Sequence, residues 1–287
     1  MRVLVVGAAG QLGRELLRVL PGATTVPLSR ADVDLRDTAA LRARVAELRP
    51  AVVVNVAADN RVDEAERDPR EAVAVNAVAP GALADACADA GAFLVHFSTD
   101  YVFDGRAHRP YTEDDTPGPL GAYARSKHEG ERRVGALPRH AIVRVAGLYA
   151  AGGSRGKGGS FVDRILARAR AGEPLRVVTD QRTAPTWARD VAVAVARLLP
   201  RLVAGDAPAG VYHVTNAGDC SWHEFASAAL ALAGIDRPVE AITSADLGAP
   251  APRPAYSILA NTRLAALGES PLRSWHAALA EYLAGAR

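Results

Sequence analysis

The chain has 287 residues, of which 49% are hydrophobic and 23% charged, and its formal net charge is +2. The length fits one large unit or two fused lobes, and the composition is that of a globular protein with a sizeable core. Lysine and arginine are scattered, which argues against a nucleic-acid-binding surface. No apolar run reaches the roughly 18 residues that a membrane span needs, and the N-terminus lacks a signal-peptide layout. We therefore expect a cytoplasmic protein without nucleic-acid or membrane partners.

The first 150 residues alternate between short β-branched runs and longer segments with helical spacing. The strands are predicted at 3–6, 26–28, 52–56, 93–98 and 142–145. The helices are predicted at 12–20, 39–48, 70–90 and 123–134. This alternation predicts βαβ units, and right-handed crossovers then give an α/β, doubly wound parallel sheet of the Rossmann type.

The second half is less regular and begins with a glycine-rich segment, 152–159, that predicts a flexible loop. Helices are predicted at 161–171, 188–199, 221–232 and 274–283, strands at 175–179 and 211–214, and a loop at 246–256. Ser221 and Glu224 fit a capping box at the start of the third of these helices. We predict a dinucleotide-binding domain over 1–150, with return segments around 176–216, and a smaller, mainly substrate-binding C-terminal lobe over 151–287.

A glycine turn follows the first predicted strand. Gly7 permits a tight turn, Gly10 lets a pyrophosphate approach the backbone, and Gly13 allows the next helix to pack close to the sheet. Three glycines can simply make a turn. Their place between the first strand and a helix, whose N-terminal N–H groups bind phosphate, favours dinucleotide binding.

Arg30 follows the second predicted strand, beside the expected position of the adenosine ribose. An arginine there accommodates the 2′-phosphate of NADP, whereas an acidic residue selects NAD. Arg30 therefore favours NADPH over NADH. Asp32 and Asp34 complicate this assignment, and an ordinary exposed loop arginine is the alternative.

Tyr123 and Lys127 form a YxxxK pattern on a predicted helix, where residues four apart share one face. A lysine ammonium beside a tyrosine stabilises the phenolate and lowers its pKa, so that the phenol can pass a proton to a carbonyl oxygen. The pattern alone is a common accident. It gains weight from Ser98 and Thr99, because hydroxyl groups at the end of a strand lie where ligands bind in open α/β sheets.

Four segments, in this order, resemble the extended short-chain dehydrogenase/reductases, and among these the dTDP-4-dehydrorhamnose reductases. They are GAAGQLG at 7–13, STDYVFDG at 98–105, PYTEDDTPGP with the YARSK and GE that follow it at 110–131, and DQRTAPT at 180–186. A weaker likeness covers 210–222 and 253–254, so the resemblance spans nearly the whole chain. It implies reduction of a nucleotide-linked 4-keto-6-deoxysugar, most directly dTDP-4-dehydro-L-rhamnose to dTDP-L-rhamnose, and a possible homodimer.

The resemblance also implies roles for individual residues. The catalytic triad would be Thr99, Tyr123 and Lys127, with Tyr123 as proton donor. Further cofactor contacts would come from Gln11, Leu12, Asp34, Leu35, Ala57 and Ala58. Substrate contacts would come from Thr99, Asp100 and Tyr101. Related dehydratases carry Asp-Glu after the threonine, and here Tyr101 follows Asp100, which favours plain carbonyl reduction over dehydration.

The sequence departs from the pattern of this family at several positions. Asp59 and Gly147 stand where the family has other residues in its substrate pocket, which leaves the sugar open. Some members bridge a dimer through a metal held by glutamates. Glu15 matches one of these, but Arg189 replaces another, and no CxxC or HExxH spacing occurs, so we expect no metal.

Arg155 and Lys157 lie on the glycine-rich loop. A disordered connector is one interpretation of this loop, and a lid whose two cations meet the substrate diphosphate is the other. Two further alternatives concern the whole protein. It could reduce a different nucleotide-linked ketosugar in secondary metabolism, with an epimerase as a weaker variant, or it could be a non-catalytic NADP-binding regulatory subunit. The complete triad favours an enzyme.

Overall fold

Six parallel strands form the central sheet in the computed structural model, which describes residues 1–20, 24–153 and 159–285. In chain order they are β1 (Val3–Val6), β2 (Thr25–Leu28), β3 (Val52–Asn55), β4 (Phe93–Thr99), β5 (His140–Val145) and β10 (Gly210–His213). Their spatial order is β10-β5-β4-β3-β1-β2. Every neighbouring pair is parallel. The doubly wound sheet predicted from the sequence is confirmed.

Helices cover both faces of this sheet. Those of the first half are α1 (Gln11–Val19), α2 (Thr38–Leu48), α3 (Val62–Arg67), α4 (Arg70–Val73), α5 (Ala79–Ala90) and α6 (Ala122–Gly135). One apolar layer packs the sheet against α1, and another packs it against α2 and α5. Because β-branched and leucine side chains of β1 and β3 are buried on both sides, these strands are continuous apolar runs in the sequence.

The second half contributes a separate apolar cluster around Val162, Phe225 and Leu279. Its helices are α7 (Phe161–Arg170), α8 (Ala188–Ala204), α9 (Trp222–Leu232), α10 (Ser244–Leu247), α11 (Thr262–Ala266) and α12 (Trp275–Ala284). Its short strands are β6 (Leu148–Tyr149), β7 (Arg176–Val178), β8 (Arg182–Thr183), β9 (Thr186–Trp187), β11 (Cys220–Ser221) and β12 (Glu240–Ile242). Helix α8 instead packs on the central sheet beside α1.

Three predicted elements differ from the observed ones. The helix predicted over 70–90 contains a π-helical segment at Ala74–Val78, which buries Asn76. Helix α8 continues through Pro200, because Leu202 extends its buried stripe and the gain in packing outweighs the lost hydrogen bond. The loop predicted over 246–256 begins inside α10, where Thr243 and Asp246 form a capping box. Helix α3, which is short and polar, was not predicted.

The fold gathers the ends of β1, β3, β4 and β5 at one edge of the sheet, where ligands bind in this class of architecture. Over the described ranges, no helix has both the length and the apolar character required to cross a membrane. Within the same part of the chain, no group of three or more histidine, cysteine, aspartate or glutamate side chains is placed to hold a metal ion.

Candidate active site

A cleft of about 1600 Å³ lies between this edge of the sheet and helices α7 and α9. Most of the site residues predicted from the sequence line it together. These are Gly7, Gly10, Gln11, Leu12, Arg30, Asp34, Leu35, Ala57, Ala58, Thr99, Asp100, Tyr101, Tyr123 and Lys127. Gly13 lies behind the cleft wall, where a Cβ atom would be 2.4 Å from the carbonyl oxygen of Gly7. Arg155 and Lys157 fall outside the described residues.

The glycine turn joins β1 to α1 at one end of the cleft. Gly7 has φ +87°, and its N–H donates to the carbonyl of Leu28 at 2.9 Å. A Cβ atom at Gly7 would lie 2.7 Å from the backbone nitrogen of Ala57, so only glycine fits. Gly10 caps α1 without any side-chain hydrogen bond, and the first turn holds no acidic residue. The exposed N–H groups of this helix end suit a phosphate group.

The acidic residues near Arg30 are held by their own neighbours. Asp32 accepts hydrogen bonds from the N–H and the hydroxyl of Ser29, both at 2.7 Å. Asp34 accepts from Arg36, whose side-chain hydrogen bond lowers the pKa of the Asp34 carboxyl. Arg30 is exposed on the cleft wall. The two carboxylates that complicated the cofactor assignment are thus engaged by Ser29 and Arg36.

The three residues predicted as catalytic meet at the middle of the cleft. Thr99 ends β4, and its Oγ1 accepts from the N–H of Tyr101 at 3.2 Å. Tyr123 and Lys127 lie one turn apart on α6, and Gly121 starts this helix without a side-chain cap. The Lys127 ammonium donates to the carbonyl of Phe97 on β4 at 2.6 Å, so the helix and the strand are joined beside the site.

Burial controls the protonation of these groups. It raises the pKa of the Tyr123 phenol above its ordinary value, and a hydrogen bond with Thr99 only partly opposes this. The sequence-based expectation that Lys127 lowers this pKa is therefore not met in the structure. Burial also lowers the pKa of Lys127 to about 8, against the opposing charge of Glu131. At neutral pH the site holds a protonated phenol beside an ammonium group, which is the state that a proton donor requires.

Asp100 and Tyr101 differ in their surroundings, although the sequence predicts substrate contacts for both. Asp100 is 2% exposed, and its two oxygens accept from the hydroxyl groups of Thr99 at 3.0 Å and Ser257 at 2.5 Å. Burial raises the pKa of Asp100 to about 6, and these hydrogen bonds oppose the rise. Tyr101 packs edge-on against Tyr123, with ring centroids 6.1 Å apart.

Asn76 is a buried polar residue that sequence reasoning missed. Its Oδ1 accepts from the N–H of Asp59 at 2.9 Å, and its Nδ2 donates to the carbonyl of Asp59 and to the hydroxyl of Ser126. Ser126 in turn donates to the carbonyl of Tyr123 at 2.7 Å. The π-helical segment therefore fixes both the loop after β3 and the start of α6. An asparagine inside an otherwise apolar helical stripe was the available signal.

The second lobe supplies residues to the cleft that were also missed. Arg253 donates to both carboxylate oxygens of Asp63, at 3.0 and 2.9 Å, and so connects the C-terminal segment to α3. Further residues from this lobe line the cleft at Phe161, Arg164, Arg168, Arg176, Gln181 and Trp222. No local motif marks these side chains, because each reaches the cleft only through the tertiary fold.

The positions that depart from the family pattern also have defined places. Asp59 and Gly147 both line the cleft, and Asp59 accepts a bidentate hydrogen bond from Arg61. Glu15 is 3% exposed on α1 and pairs with Arg18. Arg189 on α8 lies over the ring of Trp187, 5.6 Å from its centroid.

A family model described as the RmlD substrate binding domain matches residues 1–287. The chain belongs to this family. It is 47% identical to the dTDP-4-dehydrorhamnose reductase of Streptomyces griseus, over 98% of this chain and 92% of that protein. It is 42% identical to a probable dTDP-4,6-dihydroxy-2-methyloxan-3-one 4-ketoreductase of Streptomyces antibioticus, over 98% and 94%.

A solved RmlD-family structure has the same fold. It is the dTDP-4-dehydrorhamnose reductase of Bacillus anthracis in complex with NADP, which is 33% identical, with a TM-score of 0.92 and 99% of each chain covered. The family membership and the fold that the sequence motifs implied are therefore confirmed.

Proposed function

We propose that this protein is an NADPH-dependent reductase of dTDP-4-dehydro-L-rhamnose, with dTDP-L-rhamnose as product. One observation carries the proposal: a single cleft combines the open N-terminus of α1 with a protonated phenol, Tyr123, beside Thr99 and Lys127. NADPH supplies the hydride when it is bound. The relatives named above as dTDP-4-dehydrorhamnose reductases, one of them in complex with NADP, support both the substrate and the cofactor.

Each catalytic residue has a distinct task in this proposal. Tyr123 donates its phenolic proton to the carbonyl oxygen at C4 of the sugar as the carbon is reduced. Thr99 orients the phenol of Tyr123 through its hydroxyl. Lys127, held by the carbonyl of Phe97, stabilises the phenolate that remains. Tyr101 contacts the sugar beside Tyr123. Asp100 then acts mainly by holding Thr99, since both of its oxygens have protein partners.

The cofactor contacts follow the glycine turn and the ends of β2 and β3. Gly7, Gly10, Gln11 and Leu12 hold the pyrophosphate at the start of α1. Arg30 binds the 2′-phosphate, which makes NADPH the preferred cofactor. The adenosine contacts are assigned to Asp34, Leu35, Ala57 and Ala58. These four residues line the same cleft as the glycine turn, which supports the assignment.

The division of labour between lobes is also a proposal. Residues 1–150, with return segments around 176–216, bind the cofactor, and 151–287 mainly bind the nucleotide sugar. Strand β10 (Gly210–His213) supports this scheme, since it completes the cofactor-side sheet. Contacts of Arg155 and Lys157 with the substrate diphosphate, a homodimer and a cytoplasmic location stay predictions from the sequence.

A second candidate is a reductase of another nucleotide-linked 4-ketosugar. It is favoured by Asp59 and Gly147, which depart from the family pattern inside the cleft. The 42% identity to a probable ketoreductase acting on a different dTDP-sugar points the same way.

The test follows NADPH absorbance with dTDP-4-keto-6-deoxy-L-mannose generated in situ by the preceding dehydratase and epimerase. We expect rapid oxidation, loss of at least about a hundredfold in Tyr123→Phe, and retained activity in Tyr256→Phe, a matched change outside the cleft. NADPH binding by Tyr123→Phe, followed by nicotinamide fluorescence, shows that its site is intact. Oxidation of NADPH only with other dTDP-ketosugars would select the second candidate, and tight NADPH binding without any turnover would indicate a regulatory subunit.

A further inference from the structure

Two aromatic side chains from different helices meet on the cleft wall opposite the central sheet. Phe161 is the first residue of α7 and Trp222 is the first residue of α9, and both line the cleft. Their ring centroids are 4.7 Å apart, with the ring planes at 51°. The proposed mechanism gives neither residue a task.

The sequence fixes the two rings by the same local device. Phe161 lies between Ser160 and Asp163, and Trp222 lies between Ser221 and Glu224. In both helices the serine hydroxyl accepts from the N–H three residues on, and the acidic side chain accepts from the N–H of the serine. Because a capping box determines where a helix starts, each ring occupies a defined position before any ligand arrives.

Gly147 makes room for the edge of the indole. This residue follows β5, has φ +50°, and lines the same cleft. A Cβ atom there would lie 3.1 Å from the Cα of Pro185 and 3.5 Å from Cη2 of Trp222. The far edge of the Trp222 ring therefore borders the space that a larger residue at position 147 would fill.

The wall lies close to the reacting end of the cleft. Val145, two residues before Gly147, is the register partner of Thr99 on the neighbouring strand. Arg164 and Arg168, one and two turns after Phe161 on α7, also line the cleft. Thr99, the two aromatic rings and the α7 arginines thus line one and the same cleft.

We infer that Phe161 and Trp222 form the sugar-binding wall of the substrate site, on which the apolar C–H face and methyl group of a 6-deoxyhexose ring pack. This inference rests on the proposed function and deepens it. A nucleotide sugar whose C4 reaches Tyr123 has its hexose next to Thr99, and its diphosphate falls beside the α7 arginines. Aromatic faces suit the C–H surface of such a ring, since their π electrons attract polarised C–H groups and their area excludes water.

Tryptophan fluorescence of the NADPH-bound protein tests the inference without turnover, because NADPH cannot reduce a sugar whose C4 is already an alcohol. Titration with dTDP-L-rhamnose should change the emission, and the change should vanish in Trp222→Phe. It should persist in Trp275→Phe, which removes a tryptophan that packs against Phe225 in the second lobe. Titration with dTDP, which lacks the hexose, should leave the Trp222 emission nearly unchanged. A response to dTDP equal to that of dTDP-L-rhamnose would place the base on the wall and overturn the assignment to the sugar.

Kinetics provide the second readout. Trp222→Ala should raise KM for the ketosugar about tenfold with little change in kcat, which corresponds to about 1.4 kcal/mol of lost binding. Trp222→Phe keeps an aromatic face and should keep KM within about threefold. If calorimetry shows that dTDP-L-rhamnose binds, but the Trp222 emission does not change and Trp222→Ala leaves KM unaltered, the aromatic wall is refuted and the proposed function stands. Absence of any calorimetric binding to the unaltered protein would contradict the proposed function and this inference together.

Discussion

The carboxylate of Asp100 accepts a hydrogen bond from the Ser257 hydroxyl at 2.5 Å, although 157 positions separate the two residues. Its other oxygen accepts from Thr99, so the C-terminal segment is connected through one carboxylate to the proposed catalytic threonine. Close packing supports the same junction, since a Cβ atom at Gly105 would lie 2.7 Å from the Cα of Pro254. The position of Thr99 thus depends on contacts made by the second lobe.

Asp100 should make stability depend on pH in a specific direction. Its folded-state pKa of about 6 lies above the ordinary value of 3.8, because the side chain is buried. The stabilisation from the protonated form is therefore complete below pH 4 and is lost as pH rises to about 6, by about 3 kcal/mol. Urea unfolding between pH 4 and 7 should show the free energy of unfolding falling by this amount relative to Asp100→Asn.

Ser257→Ala is the companion variant. It removes one donor to the buried carboxylate, so we expect the free energy of unfolding to fall by about 1–3 kcal/mol at pH 7, and kcat to fall because Thr99 is held less firmly.

The Asp100 prediction fails if the free energy of unfolding depends on pH in the same way for the unaltered protein and Asp100→Asn. Such a result would show that this carboxylate does not titrate between pH 4 and 7.

The alkaline limit of activity should belong to Lys127. Burial lowers its pKa to about 8, whereas burial raises that of the Tyr123 phenol above its ordinary value. Reduction requires the protonated lysine, so kcat/KM should fall as pH rises through about 8. Lys127→Arg keeps its charge at every accessible pH. The activity that this variant retains should therefore not fall as pH rises through about 8. A flat profile up to pH 10 in the unaltered protein would contradict the assignment.

Gly130 should be intolerant of any side chain. A Cβ atom at this position of α6 would lie 2.1 Å from the carbonyl oxygen of Asn76 in the π-helical segment. Gly130→Ala should therefore destabilise the protein by about 2–3 kcal/mol and lower kcat, because it displaces the helix that carries Tyr123. Gly135→Ala is the matched control in the same helix, since a Cβ atom there meets nothing within 4 Å. Equal unfolding free energies for the two variants would disprove the close contact.

A buried ion pair behind the site should matter far more than an exposed one on the same helix. Arg144 on β5 donates two hydrogen bonds to Glu131, and both side chains are 4% exposed. Burial opposes ionisation of Glu131, but the bonds from Arg144 outweigh it and lower its pKa to about 2. Glu131→Gln should cost about 3–5 kcal/mol at pH 7, because it leaves Arg144 charged and buried.

Glu129→Gln is the control for that pair. Glu129 contacts Arg132 and Arg133 near the surface of α6, where such pairs contribute less than about 1 kcal/mol.

The stabilisation from Glu131 is present above pH 4.5 and is lost only as pH falls toward 2. A Glu131→Gln variant as stable as Glu129→Gln at pH 7 would refute the role of the buried pair.

Local patterns predicted the parts of the site that lie on one element or at its end. Strand ends were sufficient to predict the glycine turn and the position of Thr99 after β4. The helix period was sufficient to predict that Tyr123 and Lys127 share one face of α6. The net pKa shift of the Tyr123 phenol could not be predicted locally, because the burial that raises this pKa depends on the whole fold.

Long-range contacts could not be predicted in this way. Ser257 reaches Asp100 from a segment whose proline- and alanine-rich sequence has no periodicity. Trp222 meets Phe161 because two separate helices start at the cleft. Asn76 was hidden, because a π-helical turn changes which residues of a helical stripe face inward.

Arg30 should decide the choice of cofactor. It is exposed on the cleft wall beside the end of β2, while Arg36 is already engaged by Asp34 and Glu71. If Arg30 binds the 2′-phosphate, Arg30→Ala should weaken NADPH binding about tenfold, as loss of a charged hydrogen bond at a surface would, and leave NADH binding unchanged. Arg36→Ala should weaken NADPH binding much less, because its charge is compensated before the cofactor binds. Fluorescence titrations with both cofactors give the ratio of the dissociation constants for NADPH and NADH. A larger loss of NADPH affinity in Arg36→Ala than in Arg30→Ala would assign the 2′-phosphate contact to Arg36.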